Sequence, residues 1–423
     1  MEDYDCVHTS RSAVVNTSDA SALTWSSLAS STQGSDAASV RERDSQGLAS
    51  TPYTTGFIIT AWRHHPPAPF GLCYSTPSPA RHPDPAAVTQ EELCTSRQPL
   101  EGYTEYEHEK HLTITSLIRT GVGRGPQLVV VDHQMVAKIY DPLFYDPYKY
   151  EDVMWYADRA YSREAAAYEQ LQKSNDISDI VPAFYGAWTF NVNTTVVREG
   201  TSSEKTRSVR MILMEYLEGQ CMVDVDAYSI SERIRTSILK QCLEAYIRVS
   251  HAGVNHGDLS PRNIMILGLG SNSPDIRVKL IDFDVATVYD HPNYEFPEMI
   301  EERKEFESKW GPKLSSPLVM FFERMGKFSC EGWCPCEDDG ADQWLWQNYA
   351  EDDRFATVQW NRNERFASPT YVDPVPKIEE PVSNVIRSRP EPETLATSSN
   401  TSNASNASNS SSASIASNAA TEK

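Results

Sequence analysis

Regular apolar patterning is confined to one stretch of this chain, roughly residues 105–365, and that confinement limits what can fold. The first hundred residues contain no lysine, Lys110 being the first, and are rich in Ser, Thr, Ala and Pro. Past about Pro369 the chain turns Pro- and Glu-rich and ends in an Asn/Ser/Ala tract from Thr397 to Ala420. Both ends lack the apolar content that offsets chain entropy, so residues 1–104 and 366–423 are expected to be mostly disordered. What remains suits one domain of two lobes, expected over 105–218 and 219–365.

The net charge of −21 offers no basic stripe for a phosphate backbone, which argues against nucleic acid as a partner. Phe57–Trp62 is far too short to span a membrane. The acidic start Met1-Glu2-Asp3-Tyr4-Asp5-Cys6 lacks the basic-then-apolar layout of a secretory signal. Eight scattered cysteines fit reduced thiols in the cytosol or nucleus. Cys330, Cys334 and Cys336 cluster, but no histidine stands at ligand spacing to make a zinc site of them. A monomer without membrane contact is expected.

Within the core, Leu112–Thr120 alternates as a strand and leads into Gly121-Val122-Gly123-Arg124-Gly125. Leu128–Val131 and Met135–Tyr140 follow as strands across the turn Asp132-His133-Gln134. A Gly-rich turn between strands lets backbone approach a phosphate closely and leaves amides to bond it, although such hairpins are also common without that role. Val136, Lys138 and Tyr140 share one strand face, which sets the Lys138 amine among apolar neighbours. Such a lysine either keeps its head in water at a sheet edge or meets an anion. Residues Trp155–Lys173 read as a helix with Tyr156, Ala160, Glu164, Ala167, Tyr168 and Leu171 on one side. Glu164 is the acidic member of that face, while Glu169 lies about 140° around the helix and is solvated. A buried lysine needs a carboxylate, so Lys138 is paired with Glu164.

Strands at Ala183–Thr189 and Arg210–Met214 are expected to flank a polar, exposed loop, followed by Met214-Glu215-Tyr216-Leu217-Glu218-Gly219. Ser229-Ile230-Ser231-Glu232 has the form of a capping box ahead of a helix bearing Ile234, Ile238, Cys242 and Tyr246 at four-residue spacing, all expected in the core. Then comes His256-Gly257-Asp258-Leu259-Ser260-Pro261-Arg262-Asn263-Ile264, and Asp282 closes an apolar run in Val278-Lys279-Leu280-Ile281-Asp282-Phe283-Asp284. One carboxylate, an amide five residues on and a second carboxylate form a set of hard oxygen donors. They suit phosphoryl chemistry, which needs a carboxylate by the acceptor hydroxyl and oxygen ligands for magnesium.

The spacing His256-x-Asp258-Leu259-x-x-x-Asn263 with Asp282-Phe283 resembles the catalytic loop and metal-binding aspartate of protein kinases and their phosphotransferase relatives. Val136-Ala137-Lys138 is similar to the kinase strand that carries the phosphate-contacting lysine, and Met214–Gly219 to the kinase hinge. Three positions depart. Gly257 replaces the arginine that grips a phosphorylated activation loop, Ser260 stands where serine/threonine kinases carry lysine, and Asp284 replaces glycine. His-Gly-Asp-Leu and Asp-Phe-Asp look closer to aminoglycoside and choline phosphotransferases and to atypical fungal kinase-like proteins. Pro297-Glu298 follows Asp284 too soon for a long peptide-docking segment, and Asp342-Gln343-Trp344 only faintly resembles a large-lobe helix motif.

The resemblance implies an α+β, bilobal protein-kinase-like fold, with a small antiparallel β-lobe holding one main helix and a larger, mostly helical lobe. It implies an ATP- and Mg2+-dependent kinase acting on a hydroxyl, with protein Ser/Thr/Tyr favoured slightly over a small molecule. Asp258, Lys138, Glu164 and Arg262 would serve catalysis. Gly121, Gly123, Gly125, Lys138, Met214, Glu215 and Leu217 would line the nucleotide, while Asn263 and Asp282 would hold metal. For Asp284 a turn or helix-cap role is expected over metal binding. A small-molecule kinase and a nucleotide-binding scaffold without turnover are the alternatives.

Overall fold

The structure, a computed structural model, describes residues 51–75, 88–147, 149, 152–198, 200–270, 275–334, 339–361 and 367–374. In chain order the small lobe runs β1 (Ile58–His65), α1 (Gln90–Ser96), β2 (Tyr103–Arg119), β3 (Gln127–Val131), β4 (Met135–Tyr140), α2 (Val153–Leu171), β5 (Phe184–Arg198) and β6 (Thr201–Glu215). Its strands close a barrel in the order β1-β2-β3-β4-β6-β5, every pairing antiparallel. β3 and β4 are central and bury almost every side chain, as continuous Val, Leu and Ile runs do in doubly covered strands. Successive positive φ values at Asp132 (49°) and His133 (61°) make the tight turn between them.

Two sequence expectations are corrected in this lobe. The fold does not begin at 105. Ile58–His65 pairs with β2, and Ala61, Trp62 and Arg63 pair with β5, which closes the sheet. The strand is short and borders Pro-rich sequence, so only its long-range partners reveal it. The polar stretch between Thr189 and Arg210 is not a loop either: β5 and β6 are 15-residue strands that continue through it. Its inner face turns Val192, Thr194, Arg207 and Val209 inward. Asp141 neutralises Arg207 there through bonds of 2.5 and 2.7 Å, and Tyr53 Oη donates to Asp141 at 2.6 Å.

Helix α2 begins at an Asp152 N-cap that accepts from Trp155 N and pairs with Arg97 at 2.7 Å. Its core side includes Tyr161, Ala165 and Tyr168, the last stacked on Phe184 at 5.2 Å. The large lobe holds β7 (Gly219–Cys221), α3 (Glu232–His251), β8 (Val254–Asn255), β9 (Ile264–Leu267), β10 (Arg277–Leu280), β11 (Thr287–Val288), α4 (Pro297–Trp310), α5 (Pro317–Phe321), α6 (Gly326–Cys330) and α7 (Asp339–Tyr349). Ser231 caps α3 without a side-chain hydrogen bond, so the expected capping box is absent. Ile238 and Cys242 are fully buried, but Ile234 is 38 % exposed. Four-residue steps drift about 40° each from the 3.6-residue period, which carries Ile234 off the core face.

β12 (Val358–Gln359) pairs with β13 (Thr370–Tyr371), and Tyr371 packs on Phe306 and Trp310, so the fold runs past the expected boundary at 366. Cys94, Cys221, Cys242, Cys330 and Cys334 are free, whereas Cys73 is disulfide-bonded, against the expectation of reduced thiols throughout. Cys336 also lies outside the described residues. No helix among the described residues is long and apolar enough to cross a membrane.

Candidate active site

β4 delivers Lys138 from the barrel wall and α2 delivers Glu164 from the facing helix. Nζ of Lys138 donates to Glu164 Oε2 at 2.5 Å and to Asp282 Oδ1 at 2.5 Å. Lys138 is 4 % exposed and Glu164 is fully buried. The ion pair anticipated from charge balance therefore forms, and Asp282 joins it as a third member. Burial alone would depress the Lys138 ammonium, but Asp282 and Glu164 outweigh it and hold the pKa above the ordinary lysine value. Burial raises Glu164 despite Lys138, because Asp282 adds a second negative charge nearby. Tyr140 Oη donates to Glu164 Oε2 at 2.6 Å and Phe283 N to Oε1 at 3.3 Å, fixing that carboxylate between lobes.

Asp282 has φ +68°, a left-handed conformation that Asp tolerates better than most side chains. His256 braces the same turn from beneath. It is fully buried, its Nε2 bonds Ile281 O at 3.0 Å, and its ring lies 4.6 Å from Phe283. Asp284 falls in the turn that follows, where Ala286 N donates to Phe283 O. Burial, then the Asp282 charge, pushes the Asp284 carboxyl up to about 7. Gly257 has φ +77°, and a Cβ there would meet Val285 O at 2.8 Å. The loop from His256 to Ile264 passes too close to the segment after Asp282 for a side chain at 257, which accounts for the missing arginine.

The loop places Asp258 and Asn263 together. Asn263 Nδ2 donates to Asp258 O at 2.9 Å and to Oδ2 at 3.0 Å, and Arg262 Nη2 reaches Oδ2 at 2.6 Å. Lys327 Nζ bonds Oδ1 at 3.1 Å. Burial opposes ionisation of Asp258, yet the Arg262 and Lys327 charges keep its pKa below the ordinary value. Ile281 N donates to Asn263 O at 3.0 Å, which ties this cluster to the Lys138 cluster. With both Asn263 amide hydrogens directed at Asp258, its side-chain oxygen is left for a cation.

Lys138, Glu164, Met214, Arg262, Asn263 and Asp282 line one cavity of about 20 Å3 with Arg119, Leu128 and Ile281. That is room for about one water. Among these, Arg119 was not anticipated. It ends β2 two residues before Gly121 and is 7 % exposed, and its position at the strand end was the available signal. Leu217 packs instead with Cys221, Met265 and Ile281, and Glu215 binds Lys279 at 2.7 Å and Ala183 N at 3.0 Å, so neither lines the cavity. Gly121, Gly123 and Gly125 all have positive φ, as a tight flap requires, but also lie outside the cavity lining. The Gly121 amide donates to Gln127 Oε1 at 2.6 Å and the Gly125 amide to Phe144 O at 3.2 Å. Those two amides brace the loop; the expectation that they wait free for phosphate does not hold.

Lys138 and Asp282 carry opposite charges for an anionic ligand and its counter-cation, and Asn263 supplies a neutral oxygen beside them. That donor set fits magnesium, which usually takes one or two protein oxygens and completes its shell with phosphate and water. No cluster of three or more His, Cys, Asp or Glu able to hold a metal occurs among the described residues, and this mode of binding needs none.

No protein-family model matches the chain. It is 30% identical over 125 residues to death-associated protein kinase 2 of Mus musculus and of Homo sapiens, spanning 29% of this chain and 30% of each relative. It is 37% identical over 79 residues to serine/threonine-protein kinase cds1 of Schizosaccharomyces pombe, spanning 18% of this chain and 16% of that protein. The chain thus covers less than a third of the length of these relatives. The crystal structure of the Mycobacterium tuberculosis PknI kinase domain overlays with a TM-score of 0.27 and 16% identity, across 42% of this chain and 60% of that one. The sequence matches support a protein-kinase-like superfamily.

Proposed function

We propose that this chain is an ATP-dependent kinase that transfers the γ-phosphoryl group to a hydroxyl acceptor. The observation that carries the reading is the Lys138 ammonium held between Glu164 and Asp282, tied through Asn263 to the Asp258 carboxylate. Asp258 accepts the acceptor hydroxyl, orients it toward phosphorus and receives its proton late in the transfer. Lys138 releases Asp282 to meet the α- and β-phosphates, and Glu164 keeps the ammonium in place while it does so. Arg262 stands beside Asp258 for charge on the moving group. Asn263 and Asp282 would hold Mg2+, which when bound offsets phosphate charge. Because the cavity is about 20 Å3, nucleotide enters only as the lobes part, with Met214, Glu215 and Leu217 then bordering adenine.

A protein hydroxyl is the first choice of acceptor, since the matched relatives are named protein kinases. One observation favours a small molecule. The segment after Asp284 is short and fastened down: Thr287–Val288 pairs with β8, Tyr74 bridges Tyr294, and α4 starts at Pro297. That leaves little chain to cradle a peptide.

The test is ADP release from Mg-ATP by the purified full chain, followed by radiolabel transfer to casein, to itself and to a hydroxyl-metabolite panel. Asp258→Asn should lower turnover by about 100-fold or more while retaining ATP binding. Wild-type turnover no higher than that of Asp258→Asn would instead favour a nucleotide-binding scaffold.

A further inference from the structure

The donors around Asp258 are unevenly shared between its two oxygens, and that decides where an acceptor can bind. Oδ2 already takes Arg262 Nη2 and Asn263 Nδ2 at 2.6 and 3.0 Å. A carboxylate oxygen offers about two lone-pair sites, so Oδ2 is filled. Oδ1 takes Lys327 Nζ at 3.1 Å, which leaves its second site for a hydroxyl. Lys327 comes from α6, 69 positions along the chain from Asp258, and its side chain is 50% exposed. Ser260, nearer in sequence, is buried at 5% exposure and carries a hydroxyl, not an ammonium.

We propose that Lys327 is a further catalytic residue: its ammonium lies against the acceptor oxygen bound at Asp258 Oδ1 and donates to it, or to the arriving phosphoryl oxygens, as transfer proceeds. Two donor atoms sharing one carboxylate oxygen stand roughly 3–5 Å apart, within reach of a direct contact. The assignment rests on the phosphotransfer reading above. In the step, the acceptor oxygen forms a bond to Pγ and the bond from Pγ to the β,γ-bridging oxygen breaks. ADP leaves with that electron pair, the hydroxyl proton passes to Asp258 Oδ1, and Lys327 keeps its own protons.

Steady-state ADP release by the full chain, with Mg-ATP varied and water as acceptor, tests the role in Lys327→Met and Lys327→Arg. Lys327→Met should lower kcat about 100-fold and leave the KM for ATP within about twofold, because the ammonium stands on the acceptor side. Lys327→Arg should restore a substantial part of kcat, which a merely structural lysine on an exposed helix would not require. A Lys327→Met enzyme with wild-type kcat, or one whose loss appears in the KM for ATP alone, overturns the Lys327 role and leaves the phosphotransfer reading standing. A wild-type chain that releases no ADP overturns both.

Discussion

Lys138→Met removes the ammonium at the centre of the site and should also destabilise the protein in a pH-dependent way. Lys138 is 4 % exposed and bonds two carboxylates at 2.5 Å each, one of them on the fully buried Glu164. Removing the ammonium leaves both carboxylates without their ion-pair partner, and breaking a buried pair from one side costs about 3–5 kcal/mol. The folded carboxyls then bind protons more tightly than the unfolded ones, whose ordinary values are 4.5 and 3.8. Folding therefore takes up protons, and stability falls as pH rises above those values. Each pH unit below the raised folded value restores about 1.4 kcal/mol, so most of the deficit disappears by about pH 5. Urea denaturation of wild type and variant at pH 5 and pH 8 measures it. Adding Glu164→Gln, which keeps an acceptor for Tyr140 Oη and Phe283 N, should recover much of the loss at pH 8. A deficit below about 1 kcal/mol at pH 8, or one equal at both pH values, refutes the reasoning.

Two further outcomes concern stability. His64 is 1 % exposed, bonds Tyr161 Oη at 2.6 Å, and burial with Arg210 nearby lowers its pKa to about 3. Its contribution is complete above the unfolded value of 6.5 and is lost as pH falls toward 3. Between pH 7.5 and 5 wild type should lose about 2 kcal/mol more than His64→Gln in urea denaturation, and parallel losses would contradict the assignment. Gly257→Ala places a Cβ 2.8 Å from Val285 O at φ +77° and should cost about 2 kcal/mol of stability; a loss under about 0.5 kcal/mol in the same assay would show the loop relaxes freely.

What the sequence disclosed and what it hid divide along physical lines. The Lys138–Glu164 pair was legible because a lysine on an apolar strand face and a glutamate on an apolar helix face present one electrostatic problem with one solution. β3 and β4 were legible because buried strands need unbroken apolar runs. β1 was hidden because its evidence lies in pairing with residues that begin at 103 and reappear at 188. The strands through residues 190–209 were hidden by their polar outer faces and by a charged inner residue, Arg207, whose neutralising partner Asp141 lies 66 positions away. Lys327 was invisible for a similar reason. An exposed lysine on a five-residue helix carries no pattern, and only folding brings it to Asp258.

The region expected to lie outside the fold also explains how the site keeps its shape without the arginine that Gly257 displaces. Arg163 precedes Glu164 on α2, is fully buried, and donates to Gly71 O at 2.6 Å, Val285 O at 2.7 Å and Thr287 Oγ1 at 3.2 Å. Its guanidinium lies 4.9 Å from the Tyr74 ring, and Val288 N donates to Tyr74 Oη at 2.5 Å. Glu295 N bonds Cys73 O at 3.1 Å, and Ser75 N bonds Asn293 O at 2.9 Å. Residues 71–75 thus join α2 to the segment after Asp282. For Glu164 to swing away from Lys138, Arg163 would have to abandon three acceptors in a buried setting, each charged hydrogen bond contributing about 1.5–3 kcal/mol. A phosphorylated loop gripped by an arginine at 257 would therefore be redundant in this chain. The glycine that lets the loop at 256–264 close on Val285 and the arginine that bonds the same carbonyl are two halves of one arrangement, which holds Glu164 and Asp282 on Lys138 by close backbone approach and buried hydrogen bonds.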